Sequence, residues 1–302
     1  MSLHIGAHPS NLTLSALAHE PSLQIGLKGF DATFHWYPEG RHIHKALDDG
    51  EINVVGTGST RAIVAQADGI PLSYIAASRP RTTGAAILVR EESPVQAPAD
   101  LIGKRIGLID GSFHTYFLIA VLDAAGVSYT AVEAVNWPVK DTQRALREGE
   151  VDAWVSSAPY LAPALAKGGL RSLVGCEKVI PNRSLFWIRN DVTAKGRPVV
   201  EAIAQTLAET DEWIGADPKR AAKLFARIIG GVDEEGWATS IAMRQWGLVH
   251  ADQTVLDEQQ GEADLLARHG ILRREINLAA AALGYLPDFK RPKERAETKA
   301  LG

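Results

Sequence analysis

Lys104-Arg105-Ile106-Gly107-Leu108-Ile109-Asp110-Gly111-Ser112-Phe113-His114, followed by the helix-like run from Tyr116 to Ala125, decides how the chain is read. An apolar run of strand length gives way to a turn of small and polar residues, and then to a helix. The first backbone N–H groups of such a helix have no partner within it, and their field favours an anion. The arrangement recurs at Ile5-Gly6-Ala7-His8-Pro9-Ser10-Asn11 ahead of Leu12 to His19, and at Val54-Val55-Gly56-Thr57-Gly58-Ser59 ahead of Thr60 to Ala67. The three turns are expected to meet around one small ligand.

The 302 residues, 46% hydrophobic and 23% charged, are enough for two ordinary globular lobes. A formal charge of -4 gives no general attraction to nucleic acid or to an anionic membrane surface, so any anion site must be local. Cys176 is the only cysteine, which excludes an intrachain disulfide and a thiolate metal cluster. No window approaches the roughly 20 apolar residues of a membrane span. The chain opens almost directly on the strand-like Leu3-His4-Ile5-Gly6. The expectation is a processed form acting in the periplasm or at the cell surface, or a cytoplasmic protein if Met1 is the native start.

Strand and helix alternate through the first eighty residues, which argues for α/β architecture with mainly parallel sheet covered by helices. Arg41 to Asp48 reads as a short helix, and Leu72 to Ala77 as a strand. The polar connector Ser78-Arg79-Pro80-Arg81-Thr82-Thr83-Gly84 then joins two strands with no helix between them, as at a crossing between lobes. Val139 to Glu148 is helical and ends at Gly149, and Val151 to Val155 is a buried strand. Leu185 to Arg189 can return the chain to the first lobe. Beyond it the pattern is helical, with Ile203, Leu207 and Ile214 at helical spacing. The expected lobes are 1–80 with 189–302, and 81–188, with a loose charged tail over 290–302.

Lys45-Ala46-Leu47-Asp48-Asp49-Gly50-Glu51-Ile52-Asn53 through Thr57-Gly58, Ser93-Pro94, and Ala99 to Gly107 with Gly111-Ser112 and His114 resemble the aliphatic sulfonate-binding proteins of ABC importers. Val151 to Val155, Pro159-Tyr160-Leu161, Glu212-Trp213-Ile214 with Asp217-Pro218, and Ala263-Asp264-Leu265 with Gly270-Ile271 continue the likeness to about residue 285. The resemblance implies a type II periplasmic-binding fold, two α/β lobes joined by two strands with a cleft that closes on a ligand. It also implies capture of an organic sulfonate or similar small anion for a membrane permease, with no chemical change and no cofactor. Ser157-Ala158 stands where many relatives carry Trp-Asp, and Ser59-Thr60-Arg61 where Asp-Ala-Pro is frequent.

The candidate ligand-binding residues follow from the turns. Ser10, Asn11, Thr57, Gly58, Ser59, Ser112, Phe113 and His114 line the three strand-to-helix junctions, with helix capping as the plainer reading for Ser112 and Asn11. Gly40 and Arg41 stand at a fourth junction, and Arg41 or Arg61 can supply positive charge to a sulfonate or carboxylate. Ser156 and Ser157 end a strand that can face the cleft. Trp137 and Trp246 lie outside apolar strands and suit walls around an organic group, whereas Trp154 and Trp187 suit the core. His42 and His44 are two apart on a helix and share no face, so no metal is expected. The rival reading is an enzyme on the same scaffold, desulfinase-like or a lyase. Desulfinases that resemble this fold use a cysteine, but none stands in the N-terminal turn here, and Cys176 reads as a buried thiol. No catalytic residue is assigned, and a monomer suits a shuttle.

Overall fold

The computed structural model describes residues 2–38 and 40–289. The expected loose tail lies outside them. In chain order the elements are β1 (Ser2–Ala7), α1 (Leu12–His19), β2 (Asp31–Trp36), α2 (Arg41–Asp48), β3 (Val54–Gly58), α3 (Ser59–Ala67) and β4 (Leu72–Ser78). There follow β5 (Ala85–Arg90), β6 (Arg105–Leu108), α4 (Phe113–Ala124), β7 (Glu133–Asn136), α5 (Val139–Glu148), β8 (Ala153–Ser157), α6 (Leu161–Ala166) and β9 (Leu170–Gly175). The last part holds β10 (Ser184–Arg189), α7 (Asn190–Thr193), α8 (Arg197–Ala216), α9 (Pro218–Ile228), α10 (Glu234–Ala242), β11 (Leu248–Val249) and α11 (Gln253–Arg268).

Two sheets result, one of six strands in the order β11-β4-β10-β3-β1-β2 and one of five in the order β7-β6-β8-β5-β9. Strands β1, β2 and β3 pair in parallel, as do β6, β7 and β8, and their C-terminal ends carry the turns named above. The sheets are nevertheless mixed. Strand β5 runs antiparallel to β8 and β9, and β10 antiparallel to β3 and β4. The reason is topological. Strands β5 and β10 each begin where the chain arrives from the other lobe, so each runs away from the side toward which its neighbours run, and the short β11 is also antiparallel to β4.

Membership of β10 in the first sheet moves the second crossing to residues 176–183, earlier than the expected boundary at 188/189. The two crossings are laced together. Arg81 N–H donates to Pro181 O at 3.0 Å, Ser184 N–H to Ser78 Oγ at 2.9 Å, and the Cys176 thiol to Thr82 O at 2.9 Å. The Arg183 guanidinium bridges to Glu258 of α11 through Nε at 2.5 Å and Nη2 at 2.9 Å, and donates to Ser78 O at 2.9 Å.

Packing follows the sequence pattern. Strands β3, β4 and β5 are apolar with almost every residue buried, because helices cover both faces of the sheet. Ile43, Ala46 and Leu47 of α2 and Ala62, Ile63 and Ala65 of α3 pack on one face of the first sheet together with α11. Ile203, Leu207 and their neighbours on α8 cover the other. Gly149 ends α5 at φ +80°, a conformation that favours glycine. The lobes touch on both sides. Ile119 of α4 joins the core formed around α3 and α11, and a Cβ at Gly231 would lie 2.4 Å from the Tyr160 hydroxyl.

Candidate functional site

Helices α2 and α3 begin at Gly40 and Gly58, and neither start has a side-chain cap. Their first N–H groups therefore lack the partner that a Ser, Asp or Asn cap supplies. His8 ties the two starts together. Its Nε2 lies 3.0 Å from Gly56 O in β3, and Gly40 sits against its ring, where a Cβ would be 3.2 Å from Cε1. A carbonyl only accepts, so Nε2 carries the proton and Nδ1 is left as a lone pair. Among the described residues Nδ1 has no partner. Burial drives the His8 pKa down to about 4, and the Arg61 charge adds to that shift against the opposing Gly56 bond.

Arg61, at the third helical position of α3, projects across the lobe boundary. Its Nη2 donates to Asp110 O at 3.0 Å, and its guanidinium lies against Gly111, where a Cβ would be 3.3 Å from Nη1. Gly111 has φ +61°. The arginine is half-buried and belongs to the site itself, between His8 and the second lobe. Phe113 closes the same edge, its Cβ 3.8 Å from the place a Cβ would occupy at Gly58. Thr57-Gly58-Ser59 and Gly111-Ser112-Phe113 thus meet across the lobes.

Several expected contacts take another part. Ser112 caps α4, accepting from His114 N–H at 3.1 Å and donating to Ile109 O at 2.6 Å. Gly111 N–H is shared between Asp110 Oδ1 at 2.8 Å and Thr115 Oγ1 at 2.9 Å. The turn from which the fold was read is thus a satisfied cap, and of the expected junctions the two without a side-chain cap, at Gly40 and Gly58, belong to the first lobe. His114 is buried, accepts from Ile109 N–H at Nδ1 and donates from Nε2 to Ser157 Oγ at 3.0 Å. Burial pushes its pKa down to about 3, so the ring stays neutral and the Ser157 hydroxyl keeps its own hydrogen to donate. Asn11 caps α1 through Leu14 N–H, with its amide nitrogen over Gly56, where a Cβ would come within 2.5 Å. Ser10 is exposed in that turn.

Thr57 donates to Gly58 O at 2.9 Å and accepts from Trp187 Nε1 at 3.1 Å, so its hydroxyl is used within the protein. The Ser59 hydroxyl turns back to Glu262 of α11, as does that of Thr60 at 2.5 Å. Ser156 is fully buried in β8, with a hydroxyl that has no partner among the described residues. Trp137 is half-buried against the core cluster that includes Ala145 and Leu146 of α5, with the Arg105 guanidinium over its ring at 5.5 Å. Trp246 packs on Gly215 of α8 and donates to Ile241 O at 2.8 Å. Neither tryptophan stands at the α2 and α3 starts. Arg41 opens α2, and its side chain lies outside the described ones.

His8 and Glu262 are the residues the sequence reading missed. Glu262 is 1% exposed, and burial raises its carboxyl pKa to about 7 against the Ser59 and Thr60 bonds that lower it. It lies on the stripe of α11 that also carries Val255, Gln259 and Leu266, all buried. An acid within an apolar helical stripe was the available signal.

A model of the NMT1/THI5-like family matches residues 28–221. The chain belongs to that family. Among relatives of this NMT1/THI5-like chain, the taurine-binding periplasmic protein of Escherichia coli strain K12 is 29% identical over 213 residues. The match spans 66% of this chain and 65% of the relative, so the chain spans less than two thirds of the relative's length. In structure it is similar to the periplasmic aliphatic sulphonate binding protein SsuA of Escherichia coli, with a TM-score of 0.85, 24% identity, and coverage of 97% of this chain and 94% of that one. That likeness establishes the two-lobed binding-protein fold. The alkanesulfonate-binding protein SsuA of Xanthomonas axonopodis pv. citri, bound to MOPS, is similar at a TM-score of 0.83 and 25% identity, over 93% of this chain and 97% of that one.

Proposed function

We propose that this chain is the solute-binding component of an ABC importer, capturing a small organic anion of the sulfonate type by closure of its lobes. The observation that carries the reading is the convergence of two helix starts without side-chain caps, at Gly40 and Gly58, with the Arg61 guanidinium at the lobe boundary. Backbone N–H groups and a guanidinium match the acceptor-only oxygens of a sulfonate. The Ser157 hydroxyl, oriented by His114, supplies a donor from the second lobe. Similarity to a taurine-binding and an alkanesulfonate-binding protein supports the ligand class. The proposed setting is the periplasm, the partner a permease, and the working form a monomer.

Cys176 favours capture over cleavage. It is buried behind the first crossing, bonded to Thr82 O and away from the helix starts, and burial raises its pKa. The test is calorimetric titration with alkanesulfonates, taurine, nitrate, carboxylates and neutral analogues of matched shape. Saturable binding of a sulfonate, with the ligand recovered intact by mass spectrometry, is the expected result. Binding of neutral analogues alone overturns the anion seat, and recovery of sulfite or sulfate overturns simple capture.

A further inference from the structure

Between the first crossing and the segment after α10 the molecule holds a cavity of about 320 Å3, lined by residues 80–83 and 243–245. It shares no lining residue with the helix starts of α2 and α3. Two guanidinium groups line it. Arg81 commits Nε to Asn182 O at 2.9 Å and Nη2 to Asn182 Oδ1 at 3.2 Å. Arg244 stacks over the Trp246 ring at 3.5 Å, and its buried Nε has no hydrogen-bond partner among the described residues.

The charges here do not balance. The carboxylate that acts on both arginines is Asp211, 1% exposed, whose oxygens already accept from the Thr13 hydroxyl and from Gly247 N–H, each at 2.7 Å. It stands 3.7 Å from Arg244 Nη2. One committed carboxylate thus faces two cations. Burial, and next the charge of Arg244, lowers the Arg81 pKa to about 9, while burial lowers that of Arg244 to about 10. Uncompensated charge out of water is costly, and a guanidinium donor without an acceptor adds to that cost.

We propose that this cavity is a second anion site, taking a small oxyanion such as phosphate, sulfate or a carboxylate on Arg81 and Arg244, with no lining residue in common with the α2 and α3 helix starts. The planar forks suit oxyanions, and an occupant supplies the missing negative charge. One wall is the crossing itself and the other belongs to the first lobe, joined already by the Thr83 hydroxyl on Met243 O at 3.2 Å. An anion bound there braces the crossing.

The experiment titrates the protein with inorganic phosphate at constant ionic strength, balanced with sodium chloride, and follows calorimetric heat and Tm. Wild type should show saturable binding beyond the chloride control. Arg81→Gln and Arg244→Gln should each weaken the phosphate Kd at least tenfold, whereas Arg61→Gln should leave it within twofold. If Arg244→Gln does not fold, because Asp211 loses its counterion, the half-exposed Arg81 decides. Parallel titrations with sulfate and acetate separate a tetrahedral site from a carboxylate site. A wild-type response equal to that of chloride, retention of the phosphate Kd in Arg81→Gln, or one-for-one displacement of phosphate by an alkanesulfonate overturns the proposal. Failure to find a sulfonate ligand leaves the phosphate titration fully readable.

Discussion

Replacement of Arg61 separates the two things its guanidinium contributes. The group bonds Asp110 O across the lobe boundary at 3.0 Å, and it places a positive charge near His8 and the α3 start. A hydrogen bond from a charged donor contributes about 1.5 to 3 kcal/mol, and the lower end applies because this arginine is half-exposed. That bond forms only when the lobes meet, so its loss weakens closure and, through it, affinity. At about 1.4 kcal/mol per tenfold, Arg61→Lys, which keeps the charge but loses the planar fork, should weaken sulfonate binding roughly tenfold. Arg61→Gln removes the charge as well and should cost about another factor of ten, while both variants keep their melting temperature within a few degrees. Calorimetry gives the affinities, and small-angle scattering with and without ligand reports closure. If Arg61→Gln binds within twofold of wild type, the seat has been drawn in the wrong place.

Two further outcomes follow from the same geometry. Ser112→Ala removes a cap and should lower stability by about 1 kcal/mol, read by urea denaturation, with ligand affinity unchanged within about twofold. A large loss of affinity would return Ser112 to the seat. Glu262 makes stability depend on pH. Its carboxyl pKa rises from 4.5 unfolded to about 7 folded, so the native state holds that proton more tightly. The associated stability is fully present below pH 4.5 and is lost as pH rises through about 7, amounting to about 3 kcal/mol. Denaturation at pH 5 and pH 8 should show that fall in wild type and a flatter profile in Glu262→Gln. Parallel profiles in the two proteins refute the assignment.

The strand-to-helix turns were legible because their chemistry is local. Gly, Ser, Thr and Asn between an apolar run and a helical one imply a junction wherever they occur. Which junctions remain open depends on where hydroxyls point, and that is set by packing. The Ser112 hydroxyl bends onto its own helix start and Thr57 is held by Trp187, whereas Gly40 and Gly58 have no side chain with which to cap. Trp137 and Trp246 flank loops in the sequence, and both are half-buried against their own lobes, Trp137 under the Arg105 guanidinium and Trp246 against Gly215. Strand β10 reads as a strand from its composition, but its sheet is decided by pairing with β3 and β4. His8 stands in a turn read correctly. Its importance arises from the Gly56 carbonyl, 48 residues away in sequence.

The adjacency of the two crossings makes the second lobe a guest carried by the first. The chain leaves after Ser78 and is back at Ser184, whose N–H donates to the Ser78 hydroxyl. Everything between them is one uninterrupted cassette, while the host is severed at one place only. Exchange of that cassette therefore needs two junctions, both at the crossings. Residues such as Ser157 and Phe113 travel with the guest and Arg61 stays with the host, so one half of the proposed ligand seat can be traded while the other is inherited intact.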